Sequence, residues 1–256
     1  MKKKNIVTIS FLLCPFLLGL CIFYVIPYLY GWYISLSPTA WIELFKNEVF
    51  HLAIKNTVLF WILGIPLILF FSTIVSLLLY ENKRKNFFLS LVAIPLCIPS
   101  IYIGSVVSYI FESFSINENS IWSFIIIIII YIWKYCGFNI IILTSAFSTL
   151  PKAIEEASQI DGCKKGLFVL KILLPSVYPE LSFVFLLSLL NSFSIYRELY
   201  AIYGMYPPKC VYLIFHFITN NFTKLGFNTV SVASCTLSIV LVILILYFLC
   251  RERRFL

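Results

Sequence analysis

Charge is scarce in this sequence. Of its 256 residues only 12% are Asp, Glu, Lys or Arg, against 61% hydrophobic, and the mean hydropathy is +0.99. A soluble domain carries about 25% charged and 45–50% apolar residues. The chain is long enough to bury a core but has too few polar residues to cover one against water, so its solvent must be lipid. Other absences narrow the reading further. There is no tandem repeat, no soluble domain and no linker rich in Pro, Gly or Ser. No Cys-x-x-Cys pair occurs, and the eight cysteines are scattered, mostly within apolar runs. They read as small apolar residues, with neither a disulfide framework nor a metal site. Nothing matches Gly-x4-Gly-Lys-Ser/Thr, so the chain has no nucleotide-binding loop and no hydrolysis of its own is expected. No catalytic residue is assigned, and the expectation is that it is not an enzyme.

What is present is a set of long apolar runs. A bilayer core about 30 Å thick needs roughly 20 consecutive apolar residues in a helix. Six runs qualify: Phe11–Trp32, Val58–Leu79, Phe87–Phe111, Ile121–Phe147, Ile172–Ile195 and Thr229–Leu249. A membrane barrel would show alternating segments of about ten residues instead, and these runs do not alternate. The expected fold is all-α, an integral membrane protein of about six transmembrane helices, forming one membrane domain over residues 1–256. Lys2, Lys3 and Lys4 before the first run imitate a signal peptide. The run is longer than the 7–15-residue core of such a signal and lacks a small-x-small cleavage pattern, so it reads as an uncleaved span.

Orientation follows from Lys and Arg. With both termini in the cytoplasm, the inner segments carry thirteen positive charges, Lys83, Arg84, Lys85, Lys152, Lys164, Lys165 and Lys171 among them. The outer segments carry five: Lys46, Lys55, Arg197, Lys209 and Lys224. Such a bias in short loops sets topology during insertion. The net charge of +8 is therefore a topology signal and not a nucleic-acid footprint. Prolines and glycines punctuate the spans, as in Pro95, Pro99 and Gly104 of the third, which bundles tolerate where protein or a cavity re-satisfies the backbone. His51 and His216, on outer segments, read as surface residues.

The inner loop 148–174 between spans four and five is the informative segment. Pro151 suits the first turn of a short helix running to about Asp161, with Thr149 as its cap and Glu155 and Glu156 near its positive end. Ala153, Ala157 and Ile160 recur as a narrow apolar stripe, and Gly162 ends the helix in a left-handed conformation. A second amphipathic piece begins at Cys163. The stripe needs cover. Lipid headgroups attract basic helices with bulky apolar faces, whereas this one is acidic and narrow. Physics alone leaves helix-in-groove docking and a plain connector level.

Glu156-Ala157-Ser158, three residues, Gly162, nine residues and Ile172-x-Leu174-Pro175 resemble the cytoplasmic "EAA" loop of membrane subunits of binding-protein-dependent ABC importers. That pattern reads Glu-Ala-Ala-x3-Gly-x9-Ile-x-Leu-Pro, and the departure here is Ser158. Ile160-Asp161-Gly162, Leu150-Pro151, Pro179, Asn56-Thr57, Ile94-Pro95 and Ile98-Pro99-Ser100 resemble the sugar-importing branch. The opening, with Tyr24-Val-Ile-Pro27, looks like the first of the two permeases in maltose- and glycerol-phosphate-type systems. After span five, Tyr203-Gly-Met-Tyr-Pro-Pro208 replaces the Gly-rich turn often found in relatives.

The resemblance implies a permease of the bacterial cytoplasmic membrane with a short coupling helix. Its implied partners are a pair of ABC ATPase subunits, a second homologous permease and an extracellular or periplasmic substrate-binding protein, with ATP and Mg used by the ATPase and no cofactor in this chain. Glu156, Ala157, Ser158, Asp161, Gly162, Ile172, Leu174 and Pro175 would form the ATPase-coupling loop. Glu156 would pair with a basic residue of the ATPase cleft; the alternative is helix-end stabilisation of about 0.3–1 kcal/mol. Lys134, an ionisable residue at membrane depth, stands either as a substrate-pathway contact or as a side chain snorkelling to the outer surface. Two alternatives remain at this stage: another cargo, such as a peptide or amino acid, or an ion-coupled secondary carrier.

Overall fold

A computed structural model describes residues 12–113 and 121–252. Lys2 to Lys4, Phe11, most of the loop Glu112–Ser120, Arg253 and Arg254 lie outside the described residues. Among those described there is no strand. Five of the described helices are long and apolar enough to cross a membrane, and one sharply bent pair makes up to six.

The helices in chain order are α1 (Leu12–Ile34), the short α2 (Pro38–Lys46), α3 (Glu48–Leu79), the bent pair α4 (Lys85–Cys97) and α5 (Ser100–Ser113), and α6 (Ile121–Phe147). The loop helix α7 (Lys152–Ile160) and α8 (Lys165–Phe168) follow. Then come α9 (Tyr178–Ser194) and α10 (Tyr196–Tyr203), which together make the fifth span, α11 (Ile214–Thr223) and α12 (Phe227–Glu252).

Three boundaries depart from the hydropathy reading. The second span begins well before Val58, because Asn47 Oδ1 accepts from the N–H groups of Val49 (2.9 Å) and Phe50 (3.1 Å) and starts α3 there. A strong cap lets the polar residues Glu48, His51 and Lys55 continue the helix beyond hydrocarbon. The third run is not one straight helix. Ile98 is extended (φ −78°, ψ 121°) before Pro99, as the proline ring demands of its predecessor, and α4 and α5 meet at 81°. The fifth run splits at Val177 (φ −105°, ψ 22°) just before Pro179. Ile172 to Ser176 belong to the loop's return path, and the span proper runs on to Tyr203.

By contact the chain divides into two compact units, Met1–His51 with Ile218–Ile243 and Leu52–Phe217 with Leu244–Leu256. In the first, no residue of Leu12–Ile34 is buried, and Cys235 Sγ lies 3.2 Å from Ser35 Oγ. The second unit holds two apolar clusters. One gathers Phe60, Ile103, Val107, Tyr131, Ile195 and Leu199. The other gathers Leu143, Phe147, Phe168, Leu173, Val177 and Val184. Each is buried away from lipid, where packing and interhelical hydrogen bonds rather than hydrophobic transfer hold helices together. Asn139 Nδ2 donates to Ser188 Oγ (2.8 Å), Tyr131 OH to the Ser188 carbonyl (2.6 Å) and Trp61 Nε1 to Ser192 Oγ (2.8 Å). Gly137 lets α6 press directly on the backbone of Val92 in α4, and a Cβ at Gly104 would stand 2.6 Å from that of Ala201 in α10.

His216 is not a surface residue but fully buried. The Leu213 N–H donates to its Nδ1 (3.3 Å), which requires that nitrogen's lone pair. The rings of Tyr196 and Tyr212 flank it, and burial holds its pKa down at about 3.

Candidate functional site: the coupling loop and a buried ion pair

The loop after α6 is a built element, not a slack connector. Pro151 (φ −61°, ψ 129°) turns the chain into α7 from an extended conformation. Thr149 does not cap the helix: its hydroxyl donates instead to the Ala146 carbonyl (2.7 Å), closing α6. At the other end Gly162 has φ +74°. Cys163 N–H reaches the Ser158 carbonyl (2.9 Å) and Gly162 N–H the Gln159 carbonyl (3.0 Å). This is the paired Schellman closure, which requires a left-handed residue between its two bonds. Asp161 is the helix's last half-turn, its N–H bonded to the Ala157 carbonyl (3.1 Å).

The stripe faces out. Ala153, Glu156 and Ala157 are exposed, and Ile160 keeps 87% of its surface. Ser158 turns the other way, buried, with its hydroxyl on the Glu155 carbonyl (2.7 Å). The motif's second half does a different job. Ile172 and Leu174, around the buried Leu173, pack on Leu143, Phe147 and Phe168, and Pro175 follows on the exposed side. The loop is thus anchored in the bundle by its return limb while α7 presents a free apolar face. Exposed apolar surface of this kind is what protein partners cover.

Lys134 lies elsewhere, some 20 Å along α6 from its C-terminal end at the usual helical rise. It is buried, and its Nζ is 2.6 Å from Glu198 Oε1 in α10. Ser100 Oγ, the first residue of α5, donates to the same oxygen (2.8 Å) and receives from Lys134 (3.3 Å). The three residues tie α5, α6 and α10 together just after the break in the third span. The sequence singled out Lys134 but not its partner, because Glu198 sits beyond the point where the fifth hydrophobic run ends.

The sequence also passed over the short turn between α3 and α4. Lys165 Nζ pairs with Glu81 Oε2 (2.7 Å), Tyr80 OH donates to Glu81 Oε1 (2.7 Å), and Lys85 Nζ donates to Ser148 Oγ (3.0 Å). The Lys165 bond holds the Glu81 carboxyl below the ordinary carboxylate range, and Glu81 in turn raises Lys165. Burial, then the bond to Glu81, pushes the Tyr80 phenol up. Lysines in loops were visible as topology markers, which hid their local pairing.

Residues 64–251 match the family described as "Binding-protein-dependent transport system inner membrane component". The chain is 25% identical over 180 residues to the lactose transport system permease protein LacF of Rhizobium radiobacter, covering 62% of this chain and 60% of that one. It is 26% identical over 184 residues to the arabinooligosaccharides transport system permease protein AraP of Bacillus subtilis, covering 64% and 58%. The chain therefore spans about 60% of the length of the curated relatives it matches. A crystal structure of a bacterial ABC transporter involved in the import of the acidic polysaccharide alginate shares the fold, with a TM-score of 0.76 at 19% identity over 99% of both chains. The matched region contains the second half of α3, the broken span, the loop with its motif and the last two spans, and the chain belongs to the binding-protein-dependent transport system inner membrane component family.

Proposed function

We propose that this chain is the permease subunit of an ATP-driven importer that carries a sugar or related carbohydrate across the bacterial cytoplasmic membrane. The observation that carries the reading is α7: a helix closed at Gly162 and anchored by its return limb, with Glu156 and an uncovered stripe of Ala153, Ala157 and Ile160 facing away from the bundle. A separate ATPase subunit docks its cleft on that face, and its closure on ATP and Mg displaces α7. Glu156 meets a basic residue of the cleft, and Ala157 allows close approach. The spans, with those of a second, homologous permease, then turn the central site from facing a substrate-binding protein outside to facing the cytoplasm. The termini lie in the cytoplasm. Family membership speaks against the secondary carrier. The named relatives transport lactose and arabinooligosaccharides, and a bacterial alginate ABC transporter of the same fold has been crystallised with its oligosaccharide-bound periplasmic protein, which favours carbohydrate over peptide or amino acid cargo.

The test is to tag the chain, extract it gently from native membranes and identify what co-purifies, beside a variant carrying Glu156→Lys and Gly162→Pro. An ATPase recovered with the natural chain and lost from the variant, with a second six-span chain retained in both, supports the reading. A chain that emerges alone in both samples sinks it. The associated binding protein is then titrated with lactose, an arabinooligosaccharide and an alginate oligosaccharide, and binding of none of them removes the carbohydrate assignment.

A further inference from the structure

We infer that the turn between α3 and α4 is a second arm of the coupling loop, with Glu81 and Lys165 the positioning residues that make α7 and the inner ends of these two spans move as one body. The inference rests on the docking reading above and extends it to Glu81, outside the loop, and to Lys165, one of the motif's unspecified positions.

Chain connectivity alone passes a displacement of α7 to two spans, the fourth through Phe147 and the fifth through α8. Two side-chain links add the second and third. On the side preceding α7, Lys85 Nζ donates to Ser148 Oγ (3.0 Å). On the side following it, Lys165 Nζ meets Glu81 Oε2 at 2.7 Å. Both links end in one short turn, so α7 is held at its two flanks by the same piece of chain. Tyr80 stiffens the arrangement. Its hydroxyl donates to the other Glu81 oxygen (2.7 Å), and its ring stands edge-on to Phe147 at 6.0 Å. The carboxylate thus has both oxygens engaged and one geometry to keep.

The turn itself is ordered from within. Asn82 Oδ1 accepts from Arg84 N–H (2.8 Å), and Lys85 N–H bonds the Asn82 carbonyl (3.1 Å). Between turn and loop lies a crevice of about 370 Å³ lined by Glu81, Lys83, Lys85, Ser148, Lys152 and Glu155 among others. The arms meet there through these side-chain bridges, and Tyr80 of the turn and Leu150 of the loop both pack on the apolar cluster that holds Phe147 and Phe168.

Both partners of the ion pair are exposed, 67% for the Lys165 side chain and 43% for Glu81. Exposed pairs contribute little to stability. Its value is in geometry: a two-point link transmits a push in either direction, as a hinge element must. The push has somewhere to go. The turn leads into α4, which presses on α6 at Gly137 and ends at the 81° break before α5. Tilting α4 with α7 changes that angle and so the third span's course through the membrane.

The measurement is hydrogen exchange on the whole complex as purified from membranes, with and without ATP and vanadate. Peptides covering Tyr80–Asn86 and Lys152–Ile160 are compared. In the natural complex both should change exchange rate together. In the Glu81→Lys variant the ATPase should still co-purify and the α7 peptide still respond, while the response of the turn falls by about threefold or more. The exchanged pair, Glu81→Lys with Lys165→Glu, should restore it, which a merely structural effect at either position does not predict. A turn that never responds overturns the inference. So does a turn that responds equally in Glu81→Lys, a loss that the exchanged pair leaves unrepaired, or loss of the ATPase from Glu81→Lys alone. Failure of the natural chain to bring down any ATPase defeats the docking reading itself and this inference with it; retained ATPase beside an unresponsive turn defeats this inference alone.

Discussion

At the scale of single residues, Lys134 sets the hardest electrostatic problem in the chain. A lone ammonium at membrane depth is expensive, and Glu198 at 2.6 Å with Ser100 as third member neutralises it. Pairing does not make the arrangement stabilising relative to an apolar one. Removing one partner of a buried pair costs about 3–5 kcal/mol, because the other charge is stranded, whereas replacing both by apolar side chains of similar size is often neutral. We expect Lys134→Met and Glu198→Met each to lower the thermal midpoint of the purified protein, at about 2–4 °C per kcal/mol for a chain of this size. The double variant should regain most of that loss. Unfolding followed by intrinsic fluorescence decides it: a double variant as labile as the worse single one would mean that shape, not charge, matters here. The sequence displayed Lys134 as an anomaly and left its role open. Its partner was out of reach, since the pair spans 64 positions and hydropathy reads only neighbours along the chain.

At the scale of elements, legibility depended on whether the determining contacts are local. The helix of the loop 148–174 was readable because its start, stop and stripe lie within a dozen or so residues: Pro151 fixes entry, and Gly162 at φ +74° fixes exit. The third span was not. Pro95 and Pro99 marked a disturbance but not the 81° bend that the extended Ile98 makes before Pro99, and nothing near Gly137 in sequence signals that Val92 rests against it. A methyl group at Gly137 has no room without moving the α4 backbone. Overpacking that only rearranges side chains costs about 1–3 kcal/mol; a contact with backbone carbonyl leaves less freedom to adjust. Gly137→Ala is therefore expected to destabilise by about 3 kcal/mol or more. Gly31→Ala, where a Cβ meets nothing within 4 Å, should be neutral or slightly stabilising as a helical Gly→Ala change. Equal midpoints for the two variants in the same unfolding assay would show that the close approach of α4 and α6 is dispensable.

At the scale of the whole molecule, the number of spans was readable, and their sidedness is predicted, for a different reason: lipid and the insertion machinery act on the linear sequence. Runs of apolar residues count spans whatever they later touch, and the lysines and arginines orient them. How helices group was not readable, because lipid solvates a helix as well as another helix does, and hydropathy carries no signal for contact between apolar surfaces. The grouping of Ile218–Ile243 with the first fifty-one residues is a case in point. Orientation is the property on which the proposed docking of α7, the proposed link through Glu81 and access from outside all depend together. In a variant with the eight native cysteines replaced, single cysteines at Ile160 and Tyr206, both largely exposed, report opposite faces. A membrane-impermeant maleimide applied to intact cells should label Tyr206→Cys and leave Ile160→Cys unmodified, and inside-out vesicles stripped of peripheral subunits should reverse the pattern. The charge bias that predicts this can be challenged directly. Exchanging Lys83, Arg84 and Lys85 for Gln removes three inner charges but leaves the inner excess standing, so labelling should keep its sidedness. Labelling of Ile160→Cys from outside with Lys83, Arg84 and Lys85 in place would invert the molecule and leave α7 with no ATPase to meet.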